Sequence, residues 1–356
     1  MTQRRGWNGR WLAVYVFLLA LASTGCARLF GDSPKASGDD VAAEKAESKD
    51  DAPPLNLPLK TSGGNQLMSD VLIYQGWRIQ HNVVFDHYRL LDPQDVRRAW
   101  GTREQCEKRF EEIKREEKIE PPRGKCVVVV HGLWRNRDAM QAVTDYLRDE
   151  GKYHVVSMTY ASTRESIGKH AEHLASVIEG LDTVDEINFV GCSLGNLVIR
   201  RYLAEAEKKA KKQSKDGKLD PRFKRFVMLA PPNQGAQVAR RFASDAVVSA
   251  AWGVPGEEIA EWEKLAMKLA TPPFEFGILA GGKGTEKVRN PLIDGDDDYM
   301  LAVDETKLDG ARDFVVLPVT HASIKRDPTA LEYTLRFLQH GYFKTDAERH
   351  PLPERR

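Results

Sequence analysis

From Lys125 onward, short apolar runs alternate with stretches in which apolar residues recur at helical spacing. This alternation is typical of βαβ units, whose parallel strands are covered by helices on both faces. The predicted strands are Cys126–Val130, His154–Tyr160, Ile187–Val190, Arg225–Leu229, Phe274–Leu279 and Phe314–Val319. The predicted helices are Arg135–Asp149, Ser166–Leu181, Leu194–Lys212, a region near Ser244–Leu269, and Pro328–His340. The pattern therefore predicts an α/β domain with a mostly parallel sheet.

The chain ahead of this alternation has a different character. Trp77–Leu91 has strand-like composition and Pro93–Glu117 is a charged helical stretch, so we expect both to form an antiparallel opening of the same sheet. Residues 31–65 are rich in small, charged and proline residues and have almost no aromatic side chains, so they cannot bury enough surface to fold. The sequence thus predicts one domain over residues 66–345, with a tail from 346 to 356.

The first 25 residues are typical of an export signal. Arginines at positions 4, 5 and 10 precede the apolar run Trp11–Ala22, which is too short to span a bilayer. The following segment, Ser23 to Cys26, resembles the bacterial lipobox, in which small residues precede a cysteine that becomes lipidated. A plain secretory signal is the alternative. The resemblance implies an envelope lipoprotein facing away from the cytoplasm, held at the membrane through Cys26 and a tether over residues 26–65.

Composition narrows the classes of function. The 356 residues are 41% hydrophobic, which is enough for a sizeable core, and 53 basic against 52 acidic residues create no global field that would attract nucleic acid. Besides Cys26, the cysteines are Cys106, Cys126 and Cys192. Their odd number and spacing indicate neither a disulfide framework nor a cysteine zinc site, and the last two are expected to be buried thiols.

The first candidate for chemistry is Ser193, in the sequence Gly191-Cys192-Ser193-Leu194-Gly195. This segment joins the apolar strand INFV to a predicted helix. A sharp strand-to-helix turn of this kind holds the serine in a strained conformation and exposes its hydroxyl, and the glycines allow close backbone approach. The helix dipole adds positive potential where an oxyanion would form. We therefore expect Ser193 to be a nucleophile.

The proton acceptor is expected near the C-terminus. In hydrolases with this serine turn the order along the chain is serine, acid, histidine, and His321 follows the last predicted strand in the sequence DFVVLPVTHASI. Imidazole can take the serine proton and later return it to the leaving group. His340 lies inside the final predicted helix, and His131 precedes the serine. We interpret His131 as a structural residue of its loop.

Between Ser193 and His321 the run Asp294-Gly295-Asp296-Asp297-Asp298-Tyr299 offers four candidate acids. At this point the order of HGLW, GCSLG, APPNQGA, DGDDDYMLAVDETKL and DFVVLPVTHASI resembles the bacterial lipase and carboxylesterase branch of the α/β-hydrolase family, over residues from about 125 to 343. That branch commonly has Asp-Gly-x-Val-x-Val, and aligning its valines on Leu301 and Val303 places the catalytic acid on Asp298. Tyr299 replaces the glycine of that motif, so Asp297 remains an alternative.

The resemblance also implies an oxyanion hole and a lid-like insertion. The sequence His131-Gly132-Leu133-Trp134 follows the first apolar run, and the loop at this point in the fold supplies one backbone N–H, with the second from the residue after the nucleophile. This assigns Leu133 and Leu194 as donors. The segment 235–271 interrupts the strand pattern with apolar helical residues, which ordinary packing explains and which could also cover the acyl site.

Asp294, Asp296, Asp298 and Glu305 also match positions one, three, five and twelve of a calcium loop. Tyr299 stands where that loop needs glycine, and no helical pattern flanks it, so we do not favour calcium. The sequence instead predicts an acyl-ester hydrolase, a lipase or carboxylesterase, that needs no cofactor. A thioesterase, amidase or acyltransferase with the same triad, and a non-catalytic envelope binding protein, remain the alternatives.

Overall fold

The computed structural model describes residues 61, 66–213, 217–282 and 290–353. An antiparallel four-stranded sheet comes first, in the order β1 (Met68–Tyr74), β2 (Trp77–Asn82), β3 (Tyr88–Leu91) and β4 (Arg97–Gly101). Helix α1 (Arg103–Glu116) follows it and buries Phe110 against Tyr74 and Trp77. The predicted strand region is two strands because Asn82 Oδ1 accepts the N–H groups of Val84 and Phe85 and turns the chain.

These four strands do not open the main sheet, and the prediction that they would was wrong. They form a sheet of their own, which the buried Asp70 joins to the main body. Its carboxylate accepts the Thr159 N–H at 2.7 Å and pairs with Arg78 at 2.7 Å. The predicted helix from Pro93 was also too long, because residues 97–101 pair with β3, and the capping box of Thr102 and Gln105 starts α1 after them.

The main sheet is parallel throughout and has six strands. They are β5 (Lys125–Val130), β6 (His154–Met158), β7 (Glu186–Cys192), β8 (Phe223–Leu229), β9 (Glu275–Gly281) and β10 (Asp313–Leu317), in the spatial order β10-β9-β8-β7-β5-β6. All six agree with the predicted strands apart from their ends. The valines of β5 alternate between two cores, with Val128 and Val130 on one face and Val127 and Val129 on the other.

Helices cover both faces of this sheet, which confirms the predicted α/β class. They are α2 (Gln141–Asp149), α3 (Ile167–Glu179), α4 (Leu194–Gln213), α5 (Gln237–Arg241), α6 (Ala246–Ala260), α7 (Trp262–Ala266), α8 (Val303–Thr306) and α9 (Pro328–His340). Leucines and isoleucines of α3 and α4 fill one core, and residues of α2 and α9 fill the other. Within the described ranges no helix is both long and apolar enough to cross a membrane.

Helices α5 to α7 form the expected insertion between β8 and β9. A kink at Gly253, which has φ +63°, divides α6 and lets Val254 donate its N–H to the Thr163 carbonyl at 3.3 Å. The carboxylate of Glu258 accepts the N–H of Ile167 at 2.7 Å, at the start of α3. The insertion is thus bound to the loop between β6 and α3.

The ends of the described chain are bound to the body. Thr61, in the predicted tether, donates its N–H to the Asp95 carbonyl at 2.9 Å, whereas the predicted signal peptide, Cys26 and the rest of the tether lie outside the described residues. At the other end, residues 346–352 do not form the separate tail that the sequence suggested. His350 donates its N–H to Asp313, and Leu352 exchanges backbone hydrogen bonds with Gly310 and Ala311.

Candidate active site

Ser193 stands at the junction of β7 and α4 with φ +52°, a left-handed conformation that a residue with a side chain rarely adopts. Its N–H donates to the Leu229 carbonyl of the neighbouring strand β8 at 2.9 Å. Asn196 donates from its side chain to the carbonyls of Ser193 and Leu229, at 3.0 and 3.1 Å. These contacts hold the turn that the GxSxG segment predicted.

Neighbouring atoms leave no room for a side chain at the glycines of this segment. A Cβ on Gly191 would lie 2.9 Å from the Asn196 nitrogen, and a Cβ on Gly195 would lie 2.6 Å from the His131 carbonyl oxygen. Gly132 is equally close to the serine, since its Cβ would lie 3.0 Å from Ser193 Cβ. The loop after β5 therefore lies directly against the serine.

His321 lies on the loop that follows β10. Its Nε2 is 2.9 Å from Ser193 Oγ, and its Nδ1 is 2.7 Å from Asp298 Oδ2. Its backbone N–H also donates to the Asp298 carbonyl at 2.8 Å, so the two loops are joined at the backbone as well as at the side chains. The imidazole side chain is 17% exposed, which leaves the site open to a substrate.

Asp298 is fully buried, with both carboxylate oxygens in use. While Oδ2 meets His321, Oδ1 accepts the N–H groups of Met300 and Leu301 at 2.9 and 2.7 Å. Gly281 at the end of β9 makes room for this loop, because a Cβ there would lie 2.8 Å from Asp298 Cβ. The carboxylate is thus fixed in direction by three donors.

Asp297, the alternative acid, points elsewhere. Its Oδ1 accepts the Tyr299 N–H at 2.8 Å, and its buried Oδ2 has no hydrogen-bond partner in the part of the chain that the structure describes. Tyr299, where the resembled family has glycine, takes φ +83°. The residue type differs from the family at this position, but the left-handed turn is still made.

Leu133 and Leu194, the expected oxyanion donors, follow Gly132 and Ser193 respectively. Across the described ranges, neither backbone N–H has a hydrogen-bond acceptor. Leu194 opens α4, whose first N–H groups have no carbonyl within the helix to bind. The next residue along the first loop, Trp134, is 41% exposed and is held by a hydrogen bond from its N–H to Ser162 Oγ.

His131 is fully buried on the loop after β5, as the structural interpretation expects. Its Nδ1 is 2.8 Å from the Gly132 carbonyl and its Nε2 accepts the Tyr160 N–H, while the two rings stack at 4.2 Å. These partners fit one neutral tautomer, with the proton on Nδ1. Burial lowers the pKa of His131 to about 4, which keeps the ring uncharged at neutral pH.

The acids of the calcium-loop pattern are not brought together. Asp298 binds His321, and Glu305 uses its oxygens on the N–H groups of Gln237 and Ala302 and on the guanidinium of Arg240. Asp294 is exposed and lies 3.6 Å from Arg241. Among the described residues, the groups able to hold a metal ion include none of residues 294–305.

A cleft of about 430 Å³ lies inside the insertion. Its apolar walls come from Phe242, Val248, Trp252 and Val254, and acidic residues 257, 258 and 261 line its rim. Sequence reasoning named these apolar residues only as a group. None of the residues lining the cleft belongs to the group of Ser193, His321 and Asp298.

One family model matches part of the chain. Residues 122–255 match the model of a family described as "Putative serine esterase (DUF676)". This match covers Ser193 and the loop after β5 at residues 131–134, and it ends before Asp298 and His321. No curated protein matches the sequence.

Several solved structures are similar in fold. Phospholipase PlaB from Legionella pneumophila is 16% identical, with 60% of each chain covered and a TM-score of 0.45. The lipase BlEst2 from Bacillus licheniformis is 14% identical, with 65% of this chain and 53% of that chain covered and a TM-score of 0.44. This chain thus spans about three fifths of the phospholipase and about half of the lipase. The six-stranded parallel sheet with helices on both faces agrees with the fold expected from the sequence, and the family match over residues 122–255 supports an ester hydrolase.

Proposed function

We propose that this protein is a serine hydrolase that cleaves acyl esters through a Ser193-His321-Asp298 triad. The single observation that carries the proposal is the line of two hydrogen bonds, 2.9 Å from Ser193 Oγ to His321 Nε2 and 2.7 Å from His321 Nδ1 to Asp298 Oδ2. A serine hydroxyl is a weak nucleophile unless a base removes its proton, and this geometry supplies that base in the correct orientation.

In the proposed reaction Ser193 Oγ attacks the ester carbonyl while His321 Nε2 takes its proton. Asp298 accepts from Nδ1, so the imidazole keeps its orientation and the imidazolium that forms is stabilised. His321 then protonates the alcohol that leaves, and an acyl-enzyme remains on Ser193. Water, deprotonated by the same imidazole, releases the acid and restores the serine.

The negative oxygen of each tetrahedral intermediate needs donors that are already in place. Leu133 and Leu194 are suited to this role because Leu194 follows Ser193 directly, Leu133 follows Gly132, which lies against the serine, and both N–H groups have no other acceptor within the described residues. Loss of one such donor typically costs 10²- to 10³-fold in turnover. The positive end of α4 favours the same charge.

The test is labelling with a fluorophosphonate, which reacts covalently with activated serines. We expect Ser193→Ala to abolish both labelling and turnover of short p-nitrophenyl esters while the far-UV circular dichroism stays that of the wild type. Ser249→Ala, which removes a hydroxyl bound to Glu257 in the insertion, should behave like the wild type. Labelling that persists in Ser193→Ala would contradict the assignment.

The same triad could cleave a thioester or an amide, or pass the acyl group to an alcohol. Kinetics on matched ester, thioester and amide substrates with one acyl chain separate these reactions, and we expect the highest kcat/KM on the ester. If the purified protein reacts with no serine-directed probe, the second candidate gains support, a non-catalytic binding protein on a hydrolase scaffold.

We further propose that the protein is exported and lipidated on Cys26, so that the enzyme faces away from the cytoplasm at the cell envelope. The support is the sequence of residues 1–26 alone. Metabolic labelling with an alkyne fatty acid tests it, because Cys26→Ala should lose both the label and recovery in the membrane fraction. Equal labelling of the variant would refute the lipidation site.

A further inference from the structure

Two histidines and a glutamate from three distant parts of the sequence meet at the junction between the antiparallel sheet and α3. His81 lies on β2, Glu165 on the loop before α3, and His173 on α3 itself. One nitrogen from each histidine and one carboxylate oxygen all lie within 4.8 Å of one another. We propose that His81, Glu165 and His173 bind a zinc ion.

The geometry is close to what zinc requires. Bonds of about 2.0 Å in a tetrahedron separate the ligand atoms by about 3.3 Å. His173 Nδ1 is already 3.5 Å from Glu165 Oε2. To reach that separation, the ligand nitrogen of His81 has to move by at most about 1.5 Å. The strand that carries His81 leads into an exposed turn, where Phe85 is 72% exposed.

The buried polar atoms of this cluster are otherwise unexplained. His173 has a side chain that is 7% exposed, and its Nδ1 has no hydrogen-bond partner among the described residues. The neighbouring His170 is fully buried, and both of its ring nitrogens lack partners in the same part of the structure. A buried polar atom without a partner costs about 1–3 kcal/mol. A metal ion on Nδ1 would remove that cost for His173.

The donor set selects zinc over calcium or magnesium. Two imidazoles and one carboxylate suit zinc, whereas calcium and magnesium require mostly oxygen ligands. Asp86 Oδ1, 2.8 Å from His81 Nε2, holds the His81 ring and adds negative charge on the solvent side.

The site would add a link between the first sheet and α3, which already pack against each other through Ile73 of β1. The His81 ring stacks on Tyr88 of β3 and contacts the His173 ring at 5.8 Å, so the metal would tie the hairpin of the first sheet to α3. The Tyr160 ring lies 4.6 Å from His170 and stacks on His131 of the oxyanion loop. The zinc site is thus distinct from the proposed triad and supports the elements behind it.

The experiment uses the full chain without a histidine tag, purified in detergent and freed of metal with a chelator. Zinc is titrated in competition with a chromophoric chelator, and bound metal is counted by mass spectrometry. We expect one zinc per chain in the wild type. Cobalt in place of zinc should give the intense visible bands of a tetrahedral site.

His173→Ala and His81→Ala each remove a direct ligand, so zinc affinity should fall by more than the roughly 10–100-fold typical of losing an outer partner. His87→Ala is the matched control, because His87 lies on the same hairpin beside Trp100 and outside the cluster. Equal loss in the control overturns the proposal. So does a wild-type protein that takes up no cobalt with tetrahedral bands, a result that requires no variant to fold.

Discussion

Replacing Asp298 with asparagine is the sharpest test of the proposed triad. Oδ1 of Asp298 accepts two backbone N–H groups, from Met300 and Leu301, so an asparagine there would keep its carbonyl oxygen on that side. Its NH₂ group would then face His321 Nδ1. A donor in that place requires Nδ1 to accept, which moves the ring proton to Nε2, facing Ser193 Oγ.

In that tautomer the imidazole cannot take the serine proton. The equivalent change in a serine protease lowers kcat by about 10⁴-fold, and we expect a loss of this size here. The corresponding rise in the activation free energy is about 5.5 kcal/mol. The fold should change little, because asparagine has nearly the same volume and keeps both backbone contacts.

Asp297→Asn is the matched control, since Asp297 is adjacent, equally buried and points away from His321. Its turnover should stay within about tenfold of the wild type, a difference of less than about 1.4 kcal/mol. The assay is p-nitrophenyl butyrate hydrolysis together with the rate of fluorophosphonate labelling. The reasoning fails if Asp298→Asn keeps a tenth or more of the activity, or if the large loss appears in Asp297→Asn.

Two further predictions concern packing and pH. Gly281→Ala puts a methyl group 2.8 Å from Asp298 Cβ, so ester turnover should fall together with the melting temperature in a thermal scan. Burial lowers the pKa of His131 to about 4 and of His173 to about 3. As pH falls below about 6.5, these histidines therefore take up protons in the unfolded chain before they do in the folded protein, and stability falls. From pH 7.5 to 5 each costs about 2 kcal/mol, the lowered pKa of the buried His170 adds to the loss, and Glu165, whose pKa burial raises to about 7, returns about 2. Urea unfolding of the metal-free protein should show a net loss of at least about 2 kcal/mol, and a flat profile would contradict it.

The main sheet could be predicted well from the sequence because its strands are buried on both faces. Fully buried parallel strands appear as unbroken apolar runs such as residues 126–130, and the helices between them keep their own spacing. The four-stranded sheet gives a weaker signal. Its strand at Arg97–Gly101 is polar and half exposed, and it lies inside a charged stretch. The capping pair Thr102 and Gln105 was the local sign of where the helix begins.

The sequence could predict those residues of the candidate site whose position depends on one local turn or on their place after a strand. Ser193 follows from a glycine pattern that one sharp turn requires, and His321 from its place after the last strand. Asp297 and Asp298 could not be separated, because both are buried and only the path of the loop after Gly281 turns one toward the imidazole. The cluster of His81, Glu165 and His173 has no recognisable spacing in the sequence, since it depends on how the first sheet packs against α3.

The contact between Glu258 and Ile167 couples the insertion to the central core. Glu258 belongs to the insertion, yet its carboxylate serves as an N-terminal cap for α3, which packs in the central core. Any outward swing of α6 would withdraw that cap and expose an amide at the positive end of α3 to water. The position of the insertion is therefore coupled to the stability of the first turn of α3. A ligand that displaced the insertion would have to place another anion at the Ile167 N–H, or the first turn of α3 would fray.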